Sequence, residues 1–460
     1  MLGALVFGTL GWALGQTALL PALTRIASAL KTTPSGAAWT VTTSLLSAAL
    51  LTPVVGRLGD MFGRRRTLVL SLTVVALGGV ISAVATSLAL VVVGRVLFGV
   101  GGGLFPLSFG LIRDLYPPSK RASYVGLIAA VAGLGGGLGA AFGGVFVDYL
   151  SFRWIFWAGA AMAASAAALA PVVIPRTPRG PSCRVDWVGV IVLAGAVTAP
   201  LLAMSQAKWW GWADPRVVAL LVIGVVLGLC FAVVERRTVA PLIDFAVLRR
   251  PTVAITNVAA LLSGFGLYSA FLLISQLAEA PRRTGYGLGW SAAQSGLLLL
   301  PGCVCMVLTG SLCGALSRRV GTRRVLQAGS SIAAVGLLAL AAEPKTSSAV
   351  LLESAVLFAG VGLAFAAMSN LIVDAVSPAQ TGEATGVNSL LRIMGSAIGA
   401  QVTVTILAAT TQGAGAPTGA GYEAAFLLAA AITALASFVS ILLPSNDITT
   451  GADTIGNAIA

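Results

Sequence analysis

One carboxylate and a run of guanidinium groups stand at fixed glycine spacing in Gly56-Arg57-Leu58-Gly59-Asp60-Met61-Phe62-Gly63-Arg64-Arg65-Arg66. The stretch interrupts two long apolar runs. A degenerate copy returns at Gly314-Ala315-Leu316-Ser317-Arg318-Arg319-Val320-Gly321-Thr322-Arg323-Arg324. Asp60 can pair with Arg64 one turn on, with the distant Arg113, or face the positive N-terminus of the thirteenth predicted span, near residue 384. A solvated loop ion pair of little worth is the plainer alternative. Such groups hold and release rather than make covalent bonds. The candidates for conformational gating are Gly56, Gly59, Asp60, Gly63, Arg64, Arg65 and Arg113.

Two more arginines lie inside apolar runs, where a guanidinium is costly unless paired or hydrated. Arg95 is placed to control a protonation site or to hold a polar group of the first helix; snorkelling is the alternative. Arg392, its counterpart, can meet an anionic solute or pair with Glu383 or Asp374. Proton coupling requires a carboxylate whose proton affinity is shifted by burial and a nearby arginine. Asp60, Asp114, Glu353 and Asp374 are available, and none stands clearly at mid-membrane. The coupling set is thus Arg95, Asp114, Arg392, Glu353 and Asp374. Trp12, Gln16, Asn257, Tyr268 and Gln276 are the candidate lining of a substrate cavity. Rings can stack on a polycycle or a lipophilic amine, amides can orient it, and helix–helix hydrogen bonding competes with both roles.

The chain has no histidine. Its five cysteines (Cys183, Cys230, Cys303, Cys305 and Cys313) are scattered, four of them in apolar spans, which argues against a disulfide framework. Cys303-x-Cys305 is too short a spacing for a tetrahedral metal site. The sequence therefore predicts no metal, no cofactor and no enzymatic chemistry.

The elements that must position these groups are membrane helices. Hydrophobic residues make up 57% of the 460 and charged residues 9%, with a mean hydropathy of +0.96. Soluble domains carry about a quarter charged residues. Taking about 20 apolar residues per crossing, breaks at charges and prolines give about fourteen spans. They lie near 2–23, 39–58, 67–86, 88–112, 121–147, 153–174, 185–206, 215–234, 251–278, 291–316, 325–342, 349–373, 384–410 and 423–443. The net charge of +13 is unevenly placed: 18 of 28 basic residues fall on one set of alternating loops and 8 on the other. That asymmetry puts both termini in the cytoplasm. It excludes nucleic acid as a partner, because no basic segment is long enough to form a phosphate-binding surface.

The two glycine–arginine turns follow spans two and ten. Gly135-x-x-x-Gly139 in span five is echoed by Gly395-x-x-x-Gly399 in span thirteen. Both offsets are eight spans, as two six-helix halves separated by two inserted helices would give. Small residues four apart permit close helix approach, so Gly135, Gly139, Gly143 and Gly144 are read as packing positions. The boundaries follow: residues 1–180 for the first bundle, 181–240 for the inserted pair and linker, 241–445 for the second bundle, and 446–460 for a polar cytoplasmic tail. Parallel repeats of this kind place a solute site between the halves.

On these residues the chain resembles the major facilitator superfamily, and within it the fourteen-helix drug:proton antiporter group. Gly56-x-Leu58-Gly59-Asp60-x-x-Gly63-Arg64-Arg65 is similar to the superfamily's loop motif. Arg95-Val-Leu-Phe-Gly99-Val-Gly101 resembles its helix-four arginine motif, and Gly135-x-x-x-Gly139-Ala140-x-x-Gly143-Gly144 its helix-five antiporter motif. Phe152-Arg153-Trp154, Pro241-Leu242-Ile243-Asp244 and Gly289-Trp290-Ser291-Ala292 look like further segments of the fourteen-helix group. Two departures stand out. Ala140 replaces the motif's proline, and the first helix lacks the acid the group often carries near the position of Trp12. The resemblance implies an all-α integral membrane protein of the major facilitator fold, with a gate that closes the cytoplasmic side. It also implies proton-coupled efflux of amphipathic drugs or secondary metabolites, with the proton as coupling ion. The expected setting is a bacterial inner membrane, since arginine outnumbers lysine 24 to 4. The expected partners are the lipid bilayer and a small amphipathic substrate, with the protein acting as a monomer. An importer or facilitator of an organic solute, or a non-transporting membrane sensor, are the rival readings.

Overall fold

In a bilayer every backbone polar group must be satisfied within the protein, which leaves helices as the natural solution for runs this apolar. The computed structural model describes residues 1–19, 21–177, 186–238, 243–342, 346–412 and 416–444. Its helices in the first half are α1 (Leu2–Thr17), α2 (Leu23–Ala29), α3 (Pro34–Phe62), α4 (Arg64–Val84), α5 (Leu88–Gly99), α6 (Leu104–Leu115), α7 (Pro118–Tyr149) and α8 (Arg153–Val173). Then come α9 (Trp187–Trp210), α10 (Pro215–Arg237) and the short α11 (Phe245–Leu248). The second half holds α12 (Pro251–Glu279), α13 (Ala292–Val320), α14 (Thr322–Ala341), α15 (Ser347–Ala375), α16 (Thr381–Ala409) and α17 (Gly419–Val439). A two-residue antiparallel pairing, Thr411 with Pro417 and Gln412 with Ala416, is the only strand structure among the described residues. Local signals set many helix starts. Prolines occupy the first turns of α3, α7, α10 and α12, and Ser87, Ser291, Thr346 and Thr418 cap α5, α13, α15 and α17.

Among the described residues twelve helices are long and apolar enough to cross a membrane, where the sequence predicts fourteen spans. The first and seventh predicted spans account for the difference. At 16 residues α1 rises about 24 Å, short of a hydrocarbon core of about 30 Å, and the chain turns at Pro21 before α2. α9 itself runs for 24 residues, and the apolar stretch described within it is Val188–Met204. The span predicted at 88–112 is present, but a 3₁₀ turn at Val100–Gly103 divides it into α5 and α6. The predicted boundaries near 180 and 240, Cys183, and the tail 446–460 lie outside the described residues.

The duplication is visible in the packing. In the first half α1 packs on α7 and α8, α4 on α5 and α8, and α3 on α5. Eight spans on, α12 packs on α16 and α17, α14 on α15 and α17, and α13 on α15. The glycine repeats explain one matching pair. A Cβ at Gly135, Gly139 or Gly143 would strike α1 backbone or side chains at Ala13, Leu14, Thr17 or Ala18, and one at Gly395 or Gly399 would strike α12 at Leu261 or Phe265. The two turns match as well. Gly63 (φ 96°) and Gly321 (φ 88°) adopt a conformation other residues rarely take. Each donates its N–H to the carbonyl four residues back, at Gly59 and Ser317.

The halves meet along two seams. One joins α7 to α13, where Gly137 lies against Cys303 and Gly144 against Ala293. The other joins α3 to α16, with Gly56 against the Gly382 carbonyl and Gly386 against Pro53. The inserted pair α9–α10 lies on this second seam, with α9 touching both α3 and α16. Leu193, Val197 and Leu201 share an apolar cluster there with Ala49, Val54, Val387 and Leu390.

Candidate functional site

The start of α16 has no cap of its own, since the Gln380 side chain makes no capping hydrogen bond. The first amides of a helix lack internal acceptors. Here Asp60, two residues from the end of α3 in the other half, supplies them: Oδ1 accepts from Gly382 N at 3.3 Å and Oδ2 from Glu383 N at 3.1 Å. Gly382 is required because its Cβ would collide with the Gly56 carbonyl and the Asp60 carboxylate. The carboxylate thus faces the positive end of the α16 dipole.

Arg64 completes this centre with all five of its N–H donors used. Nε and Nη2 donate to Asp60 Oδ1 at 3.1 and 2.7 Å, and Nη1 donates to Asp114 Oδ2 at 2.6 Å and to the Gly110 carbonyl at 3.3 Å. Nη2 also donates to the Pro378 carbonyl of the second half. Two further arginines cross the divide. Arg113 donates to Thr381 Oγ1 at 2.6 Å and to the Val376 carbonyl at 2.7 Å, and Arg57 pairs with the buried Glu383 at 3.1 Å. Glu383 also accepts from Asp244 N, the residue capping α11, which ties the connecting segment into the same cluster. On the other seam Arg318 of the repeated turn donates to the Ser119 carbonyl. Both glycine–arginine turns therefore sit at one end of the molecule, where the polar bonds between halves gather. Asp60 bonds Arg64 and the helix N-terminus, not Arg113. Arg65 does not cross the halves: it donates to the Pro171 carbonyl in α8.

Arg95 is 1% exposed and has no carboxylate beside it. Nε donates to the Thr40 carbonyl at 3.0 Å, and Nη2 donates to Gln16 Oε1 and Ser44 Oγ, each at 2.7 Å. Its guanidinium stands 4.4 Å from the Phe98 ring centroid. The arginine therefore binds α1, α3 and α5 together through neutral groups. Gln16 is buried within this cluster, and its Nε2 has no hydrogen-bond partner. Trp12, partly exposed, spends its Nε1 on the Phe98 carbonyl and sets its ring edge-on to Phe105.

Arg392 pairs with neither Glu383 nor Asp374. Its guanidinium lies 4.8 Å from the centroid of Phe365 on α15. Glu383 is held by Arg57, and Asp374 is exposed near the end of α15. Asn257 is buried and accepts from Asn388 at 3.0 Å, a helix–helix bond rather than a free amide. Tyr268 and Gln276 remain partly exposed on α12, and Glu353 is partly exposed near the opposite end of α15. Of the packing glycines, Gly135, Gly139 and Gly143 seat α7 on α1, whereas Gly144 faces α13. The Asp60 contact with the start of α16 was among the sequence expectations; Glu383 as the partner of Arg57, Thr381, and Ser44 and Thr40 around Arg95 escaped sequence reasoning. An acid in the first turn of α16, Glu383, was the only signal among them.

Comparison with known proteins agrees with this architecture. An uncharacterized MFS-type transporter of Mycobacterium tuberculosis is 31% identical over 86% of this chain, which spans 57% of that protein's length. Multidrug resistance protein 3 of Bacillus subtilis is 26% identical over 80% of this chain and 72% of its own. The crystal structure of the human organic anion transporter MFSD10 superposes with a TM-score of 0.64, covering 95% of this chain and 98% of that one; at 18% identity the likeness concerns the fold alone. The family model described as Major Facilitator Superfamily matches residues 5–400 and 256–454. With this family match, the parallel packing of its two halves and its matched glycine–arginine turns, the chain belongs to the Major Facilitator Superfamily.

Proposed function

We propose that this protein is a secondary transporter of the fourteen-helix drug:proton antiporter group, exporting amphipathic compounds from a bacterial cell in exchange for protons. The observation that carries the reading is the α16 N-terminus capped by Asp60 of the opposite half. A cap supplied across a divide is a polar lock: it holds one end shut and is remade each time the halves rock. The basic loops support a cytoplasmic setting for that end, and in this reading the conformation described is closed inward. Relatives named for multidrug resistance support efflux of amphipathic molecules. In this reading α1 with α2, and α9, complete the count of fourteen, and the protein works as a monomer without cofactor or covalent chemistry. Arg113 and Asp114 open and close with the lock, and Arg95 stiffens the first-half wall of the substrate path.

The test is exchange in everted vesicles. Addition of substrate should reverse the quenching of a ΔpH dye, and Arg95→Ala should abolish the reversal. Substrate entering right-side-out vesicles down its own gradient, regardless of pH, would contradict the proposal. One observation favours that facilitator reading: the partners of Arg95 are all neutral, so this buried site holds no carboxylate to carry a proton.

A further inference from the structure

We infer that the solutes carried are amphipathic anions, and that Arg392 anchors their anionic group; this rests on the transport reading above and specifies its substrate class. Arg392 stands eleven residues past Thr381 and seventeen before Ala409 in α16, about 16 Å from the arginine-rich end at 1.5 Å per residue. It is partly exposed, and its guanidinium lies against the face of Phe365. Among the described residues no carbonyl, amide or carboxylate accepts from its five N–H donors, whereas Arg64 and Arg95 are held by such acceptors. The polar groups one turn to either side are already engaged. Asn388 donates to Asn257, and Ser396 donates to the Gly264 carbonyl and to the carbonyl of Arg392 itself.

The distribution of acids makes the charge directional. Every acidic residue in the described helices lies within about two turns of a helix end, Glu353 being the deepest at six residues from Ser347. The middle of the second half therefore holds a positive charge and no negative one. A guanidinium at this depth is costly alone, and a carboxylate, sulfonate or phosphate can meet its planar fork with two parallel hydrogen bonds. Rings are at hand for an apolar body: Phe365 carries the guanidinium, Tyr268 is partly exposed on α12, and Phe271 one turn further reaches Gly136 of the opposite half. A lipophilic amine, the cation–π ligand that rings alone would suggest, finds no counter-charge here and is repelled.

The test compares two probes with one skeleton, pyrenebutyrate and pyrenylbutyl-trimethylammonium. Their binding to the purified full chain in an uncharged maltoside detergent is read by quenching of tryptophan fluorescence. The carboxylate should bind more tightly by at least about tenfold, the worth of a charge-assisted hydrogen bond. Arg392→Lys should keep the preference. Arg392→Gln should erase it with an unchanged thermal unfolding midpoint. Equal or tighter binding of the ammonium probe, binding of neither, or a preference surviving in Arg392→Gln overturns the inference. Because binding is read without a gradient, anion preference without proton-driven export would sink the efflux reading and leave this one standing. Export confined to the ammonium probe would do the reverse.

Discussion

At the scale of single residues, the same side chain type does three different jobs according to what surrounds it. Arg64 is saturated by two carboxylates and two carbonyls, Arg95 is held by neutral groups, and Arg392 lies against a ring face. Asp60 is the most heavily used acid, and removing one member of a buried ion pair costs roughly 3–5 kcal/mol because the remaining charge is stranded. Asp60→Asn should therefore lower the thermal unfolding midpoint markedly and speed hydrogen exchange at the Gly382 and Glu383 amides. Asp374→Asn, at an exposed position with no hydrogen bond of its own, should stay within about 0.5 kcal/mol of the parent; equal effects of the two changes would refute the capping account. Asp60, Arg64 and Arg113 were legible in the sequence because charge is conspicuous in an apolar chain. Their partners were not. A backbone amide, a threonine hydroxyl and a carbonyl carry no compositional signal, and Arg65 shares the motif's chemistry yet turns toward α8. The same blindness hid the fate of Gln16 and Asn257, whose amides could serve a solute or a neighbouring helix, and here serve the helices.

At the scale of elements, two glycine turns bend the chain between α3 and α4 and between α13 and α14. Gly63 and Gly321 hold φ values near +90°, where a Cβ costs on the order of 1–3 kcal/mol. Alanine at either position should destabilise by about that amount in detergent unfolding. Alanine at Gly228 in α10, where a Cβ would meet nothing within 4 Å, should be neutral or stabilising by up to about 1 kcal/mol. Uniform loss at all three would mean that the turns carry no special conformation. The repeat was readable because glycine spacing survives where side chains drift. What the sequence did not reveal was where the chain turns within or beside a span. Hydropathy does not register a turn at Pro21 or a 3₁₀ break at Val100–Gly103, since neither changes how apolar the stretch is. It was equally silent on where α9 and α10 settle; only packing puts α9 across the α3–α16 seam.

At the scale of the whole molecule, the arrangement is a pair of matched bundles with polar bonds gathered at one end and a glycine-lined seam between α7 and α13. If the halves rock, that polar end must part while the far end closes. The far-end chains carry exposed sites at Ala29, closing α2, and Arg283, beyond α12; the polar end offers Phe62 and Ala379. The decisive measurement is electron–electron double resonance on spin labels at Phe62 with Ala379, and separately at Ala29 with Arg283, in cysteine-free protein reconstituted in lipid. Across changes of pH and substrate, the Phe62–Ala379 distance should lengthen as the Ala29–Arg283 distance shortens, and Asp60→Asn should favour the long Phe62–Ala379 state. Distances that stay fixed, or that grow and shrink together, would contradict two halves pivoting about a common centre.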